Sequence, residues 1–293
     1  MRRKNRGKQT LKKKMLSILL LSAMSSILAV VIVSYMTIRM IQNDGIKESM
    51  QIYLEQITRE MDSDYYDMIG IVNQMSPDGL IGSATERYLS SNDNYDRYLE
   101  QKFLREELIK LGYVNTKLLG ITYYDPKEQK ELIGNFNVRV LDPSYQTISK
   151  VVVGADNTIQ AMHDSYLGIK ETPVVSVMRR VSFGNQKMLD IYAEMEPDMS
   201  VSDQLNKEKW PYTYMEMDEN GIVQYSNNPV IVQGQKILSE LPKKEGHAVT
   251  NQEGYKIMVY RSTIGYANAI ALPENIYQKE MNMWRLKLVV IIL

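Results

Sequence analysis

Residues 118–135 read LLGITYYDPKEQKELIGN, and the periodicity of the chain changes there. Leu118 to Asp125 is a run of aliphatic, β-branched and aromatic residues, Pro126 to Gln129 supplies turn chemistry, and Lys130 to Phe136 returns with strand character. The stretch therefore reads as a β-hairpin. The segments before it that carry a clear period have helical spacing, and those after it have strand spacing. That order, helices first and antiparallel strands afterwards, is α+β.

Upstream, Asn94 to Leu111 places Tyr95, Tyr98, Leu99, Phe103, Leu104, Leu108 and Leu111 on one side of a helix. The polar break Ser76-Pro-Asp-Gly precedes it, and the residues between carry a mixed pattern with no element assigned. From residue 40 to 76, Ile46, Met50, Tyr53, Ile57, Met61, Met68, Ile71 and Met75 recur at spacings of three, four or seven, with no proline before Pro77. This is one helix of about 55 Å at about 1.5 Å per residue. Its apolar stripe is core, or in part a dimer seam, since a stripe does not name the surface it meets.

That helix continues upstream into Met15–Ile38, 24 residues without an ionisable side chain, behind eight basic residues in the first fourteen (Arg2, Arg3, Lys4, Arg6, Lys8, Lys12, Lys13 and Lys14). A helix of that length crosses the roughly 30 Å hydrocarbon layer. A cleaved signal peptide is the alternative, but its apolar core would be roughly 7–15 residues long and end in a small-x-small site. The basic tail places the N-terminus in the cytoplasm and the residues after Arg39 outside. At the other end, Trp284-Arg-Leu-Lys opens the run LVVIIL to Leu293. It is expected to be the start of a second span, with the rest of that span and a cytoplasmic part beyond it; a short membrane-associated tail is the alternative.

Downstream of the hairpin, Pro173 to Phe183 and Met188 to Met195 flank Gly184-Asn-Gln as a second hairpin. Tyr212 to Met217, the turn Asp218-Glu-Asn-Gly221 and Ile222 to Ser226 make a third. His247 to Thr250, Asn251-Gln-Glu-Gly254 and Tyr255 to Ser262 make a fourth, and Tyr266 to Leu272 closes the set. Pro273 then opens an exit helix. Two sheets in series are expected.

The whole chain holds 35 basic and 35 acidic residues, no cysteine, 20 tyrosines and 3 phenylalanines. A disulfide scaffold or a thiolate zinc site is excluded. Residues 40–283 alone carry 24 basic against 35 acidic residues, a net charge of −11, which does not suit nucleic acid. The two histidines, His163 and His247, lie in no HExxH, and no glycine-rich phosphate loop or GxSxG occurs. Asp190, Glu194 and Glu196 imitate a glycosidase set only because a strand has period two. Asp142, Asp156 and Asp164 have no recognisable ligand spacing. Neither catalysis, a metal nor a cofactor is expected within these residues.

Together these features resemble the double Cache sensor modules of bacterial transmembrane receptors. LLGITYYDPKEQKELIGN looks like the membrane-distal hairpin, TPVVSVMRRVSF and MLDIYAEME like the central distal strands, PYTYMEMDENGIVQYSNNP like the opening proximal hairpin, and YRSTIGYANAIALPENIY like the last strands and exit helix. The nearest group in this pattern is the YesM-like sensor histidine kinases. The resemblance implies a basic cytoplasmic tail (1–14), a first span (15–38), a stalk helix (39–76), a distal PAS-like domain (77–209), a proximal one (210–273), an exit helix (274–285) and the start of a second span (286–293). It also implies a two-component receptor in the plasma membrane, a homodimer, a histidine kinase after the second span, and a response regulator as partner.

In such a module a small molecule, or a periplasmic-type binding protein, engages the distal domain. The candidates for the pocket are Tyr123, Arg179 and Tyr192 on the sheet, with Tyr145, Asp156, His163 and Tyr166 in the segment covering it. Arg clamps carboxylates, Asp takes an ammonium and Tyr stacks on rings. Each Tyr or Arg is equally explained as an amphipathic side chain on a half-buried strand. The family's amino-acid-binding version uses a distal Trp, which this chain lacks: its tryptophans are Trp210 and Trp284. A chemoreceptor, a diguanylate cyclase, a membrane-bound transcription regulator or a non-signalling surface protein are the other readings.

Overall fold

The structure is a computed structural model. It describes residues 3–136, 144, 147–148, 150, 155–168, 173–184, 187–197, 212–218, 220–228, 231, 234–237, 246–252, 254–275 and 282–283, without the side chains of 3–11, 42, 136, 251 and 252. Tyr145, both tryptophans, the second apolar run and most of the expected exit helix lie outside the described residues. The chain divides into two units, Met1–Gln51 with Pro273–Leu293, and Ile52–Leu272.

Helix α1, Arg3–Met75, opens in the first unit. Its segment around Leu16, Ile18, Leu21, Met24 and Val30 is more than half exposed at each of those side chains. By length and composition it is long and apolar enough to cross a membrane, and none of the described residues covers it.

In the second unit α1 is a core helix. Leu54, Ile57, Met61, Tyr65, Met68, Ile71, Val72 and Met75 are all buried within the single chain, so from Ile52 onward the stripe packs as core. Each such side chain contributes about 1.5–3 kcal/mol by leaving water. Helix α2, Leu80–Ser90, forms in the segment that the sequence left unassigned. Its Gly82 meets the end of α1 so closely that a Cβ would stand 1.8 Å from the Ser76 carbonyl oxygen. Helix α3, Asn94–Val114, starts where the Asp93 carboxylate accepts from the N–H groups of Tyr95 and Asp96.

Two five-stranded antiparallel sheets come next. The first holds β1 (Leu118–Asp125), β2 (Lys130–Phe136), β3 (Thr158–His163), β4 (Val174–Phe183) and β5 (Lys187–Met195) in the order β2-β1-β5-β4-β3. The second holds β6 (Thr213–Met217), β7 (Val223–Ser226), β8 (Gly246–Gln252), β9 (Tyr255–Arg261) and β10 (Ala267–Pro273) in the order β7-β6-β10-β9-β8. The two orders are the same topology twice, the PAS-like arrangement expected for each domain. The tight turn into β7 needs Gly221, whose φ of 75° a side chain would resist.

Register sets the faces. In the first sheet Tyr123, Ile191 and Arg179 lie side by side, and so do Thr122, Tyr192 and Met178. A strand alternates faces, so the two triplets look in opposite directions. The Tyr123 face carries the helices: its hydroxyl donates to the Met75 carbonyl of α1, and Asn135, on the same face, donates to the Leu108 carbonyl of α3 at 2.9 Å. The opposite face packs Leu119, Val174, Met178 and Tyr192 beneath Ile148 and Leu167 of the covering segment. In the second sheet Tyr214, Glu216 and Asn268 face α1, while Met215, Met217, Val223, Ile257, Val259 and Ala269 build a core on the other side.

Candidate functional site

The sequence-predicted residues do not all meet. Tyr123 is buried, with its ring edge-on to Phe183 at 6.0 Å and its hydroxyl spent on α1. Arg179, on the same face, donates from Nε to the Ala155 carbonyl at 2.5 Å and from Nη1 toward Asn73 and Ser76. Both therefore tie the helices to the sheet instead of lining the covered face. Asp156 is exposed and Tyr145 lies outside the described residues.

The other three come together. His163 ends β3, a strand where the sequence suggested only covering loop, and its ring stacks on Tyr166 at 4.2 Å with planes 20° apart. Tyr166 in turn lies 6.1 Å from Tyr192. His163 Nδ1 is 2.6 Å from the Asp164 carbonyl, an acceptor, so that nitrogen carries the proton; Nε2 accepts from the Ser176 hydroxyl at 2.8 Å. Burial holds the imidazole below its ordinary pKa, against the pull of Asp164, and the ring is neutral.

Behind the rings sits Glu194, buried on β5, which the sequence dismissed as a strand-period coincidence. Ser165 Oγ donates to Oε1, Tyr192 Oη donates to Oε2 at 2.6 Å, and the backbone N–H groups of Leu167 and Tyr166 donate as well. Burial raises this carboxyl above its ordinary pKa, and the four donors offset that only in part. Its chemistry is that of an anchor: one carboxylate fastens residues 165–167 onto the sheet. Arg180, the sequence neighbour of Arg179 but on the covered face, is engaged by Asp190 in a two-pronged pair at 2.6 and 2.9 Å.

His163 and Tyr166 form one wall of a cavity of about 500 Å³, completed by Met162, Asp164 and Pro173 on the first sheet's side and by Gln224, Tyr225 and Ser226 of β7 with Asn228 and Ile231 after it. Asp164 is exposed there, and no Lys or Arg stands among these lining residues. No protein-family model and no curated protein sequence matches the chain. Solved sensor domains do. The extracellular domain of rpHK1S-Z16, a chain designated a histidine kinase, superposes with a TM-score of 0.50 at 14% identity, over 80% of this chain and 96% of that one. The ligand-binding domain of Mlp24 with asparagine gives 0.50 at 12%, over 83% and 98%. The sensor domain of the Vibrio cholerae histidine kinase DctB gives 0.47 at 14%, over 79% and 98%. The two that reach 0.50 share the long helix and paired sheets of this chain, which fixes the fold as the Cache, PAS-like sensor architecture.

Proposed function

We propose that the chain is the extracytoplasmic ligand-sensing region of a bacterial transmembrane sensor histidine kinase, working as a homodimer and coupled to a kinase part and its response regulator. One observation carries this reading. Helix α1 is hydrogen-bonded to both sheets, through Asn73, Met75 and Ser76 to the first and through Thr58, Asp62 and Tyr65 to the second, and the same helix begins in an apolar, uncovered segment long enough for a membrane. The sensor and ligand-binding domains that share the fold support the same role.

The cavity walled by His163 and Tyr166 is the ligand site in this reading. Its aromatic stack suits a ring or sugar face, and Asp164, with no cation among the described lining residues, suits a neutral or cationic molecule over a free phosphate or dicarboxylate. Binding drives the kinase only by its differential affinity for two states, about 1–3 kcal/mol in a typical coupling. Thermal-shift measurements on the chain in detergent, against sugars, amines and organic acids, test it. A sugar or amine should raise the unfolding midpoint, and Tyr166→Ala should abolish the rise. Binding confined to organic acids, or unaffected by Tyr166→Ala, refutes the assignment.

A further inference from the structure

The edge of β3 that does not pair with β4 is closed by two side chains from elsewhere. Tyr65 Oη on α1 lies 3.1 Å from the Gln160 carbonyl oxygen, and Glu216 Oε2 on β6 accepts from the Met162 N–H at 2.9 Å. The same two side chains touch each other, Tyr65 Oη to Glu216 Oε1, at 3.0 Å. Glu216 is fully buried, and so is Tyr65.

Counting hydrogens favours one protonation state. The Tyr65 hydroxyl has one hydrogen and two oxygen neighbours, the Gln160 carbonyl and Glu216 Oε1. A carbonyl cannot donate. If Tyr65 donates to Gln160, the hydrogen between Tyr65 and Glu216 has to come from Oε1 of a neutral carboxyl group. The chain Glu216 Oε1–H to Tyr65 Oη–H to the Gln160 carbonyl then holds a hydrogen in every contact, and Met162 N–H still reaches Oε2. An ionised Glu216 draws the tyrosine hydrogen to itself and leaves the half-buried Gln160 carbonyl without that donor. Glu194 is the contrast within the same chain, because all four of its contacts are donors, as a carboxylate requires.

We infer that Glu216 is a proton-binding site at the seam between β3, β6 and α1, and that losing its proton releases the edge of β3, so that the module reads acidity as well as a small molecule. The titratable groups around it add no counter-charge. They are Tyr65 on α1, Tyr214 on its own strand, Tyr225 on β7 and Tyr266 before β10, with Asp62 of α1 behind Tyr266. All four phenols are held above their ordinary pKa, chiefly by burial. Burial likewise lifts the Glu216 carboxyl to about 7 against the two hydrogen bonds, so the ratio of neutral to ionised group falls about a hundredfold between about pH 6 and pH 8.

Met162 and Tyr225 belong both to the seam and to the lining of the ligand cavity, so the experiment uses no added ligand and its outcome does not depend on the ligand assignment. In the full chain in detergent, the unfolding midpoint and the Met162 amide protection factor are measured from about pH 6 to pH 8 for the native chain and for Glu216→Gln, which keeps the neutral shape at every pH. A carboxyl raised on folding stabilises fully below its unfolded pKa, and that stability is lost as pH rises through the folded value. The native midpoint and Met162 protection should therefore fall across this range relative to Glu216→Gln. Parallel pH curves for the two proteins overturn the inference. Should Glu216→Gln fail to fold, infrared spectra of the native chain decide. A deuteration-sensitive neutral-carboxyl band present at about pH 6, lost by about pH 8 and retained in Glu194→Gln supports the site; its absence at about pH 6, or its loss in Glu194→Gln, overturns it.

Discussion

Replacing Glu194 by Ala should detach the covering segment from the first sheet, because four donors converge on that one carboxylate. Two of them, the Ser165 and Tyr192 hydroxyls, can rotate toward other partners. The other two, the N–H groups of Tyr166 and Leu167, are fixed by the backbone and would be left buried. Each unsatisfied donor costs about 1–3 kcal/mol, and relief of the carboxylate's own desolvation offsets part of the sum, so a net loss of about 3 kcal/mol is expected. Glu194→Gln keeps the shape and one acceptor oxygen, and should cost about half as much. Chemical denaturation of the chain in detergent gives the stability difference, and amide exchange at Tyr166 and Leu167 locates it. The aromatic wall made by Tyr166 would lose its seat, so ligand affinity should fall along with amide protection. If Glu194→Ala unfolds within about 0.5 kcal/mol of the native chain, or if exchange at these two amides is unchanged, the anchor role is wrong.

Asp190→Ala removes the two-pronged partner of the half-buried Arg180 and should cost about 1.5–3 kcal/mol in denaturation, whereas replacing both partners by Leu should recover part of that loss. Tyr123→Phe removes one buried hydrogen bond to Met75 and should cost about 1 kcal/mol while leaving ligand affinity at its native value, because Tyr123 lies on the helix face; a loss of binding would contradict the register. His163 is held below its ordinary pKa of 6.5, so the unfolded chain binds its proton more readily: the stability it contributes is complete above that value and is lost as pH falls below it. His163→Gln should flatten this acid limb in a pH series of unfolding midpoints.

The hairpins were legible because their turns are punctuated. Pro126 separates β1 from β2, Gly184 separates β4 from β5, and Gly221 and Gly254 mark the turns of the second sheet. Two elements escaped for identifiable reasons. Helix α2 contains Gly82, Ser83 and Thr85, poor helix formers, and Gly82 is required there by its approach to Ser76, a contact no local pattern announces. Strand β3 is six residues long with no clear alternation, and its free edge is satisfied by Tyr65 and Glu216, far away in the chain. The site was half legible. Period two says that Arg179 and Arg180 look in opposite directions, but only the register of β4 against β5 and β1 says which one shares a face with Tyr192. Glu194 and Glu216 carried no signal at all, since a carboxylate on a strand reads as solvated until its donors are known.

The bonds along α1 restrict how it can carry a signal. Tyr123 and Arg179 fasten its end to the first sheet, while Asn268 on Thr58, Tyr266 and Ser262 on Asp62, and His247 on Glu55 fasten its middle to the second. Sliding the helix by one residue, about 1.5 Å, would stretch a 2.9 Å hydrogen bond beyond useful length on both sheets at once. A piston against fixed sheets breaks both sets of bonds, whereas motion of the two sheets relative to each other with α1 held by one of them keeps one set and breaks the other together with the contacts at the seam. The seam is where β3 meets Tyr65 and Glu216, so the cheapest route from the first sheet to the helix runs through those two side chains. Tyr65→Phe should then weaken the response to ligand measured at α1, by spin labels placed along its exposed face, while leaving ligand affinity within about twofold of native. An undiminished displacement of α1 in that variant would show that the coupling runs through the Met75 end instead.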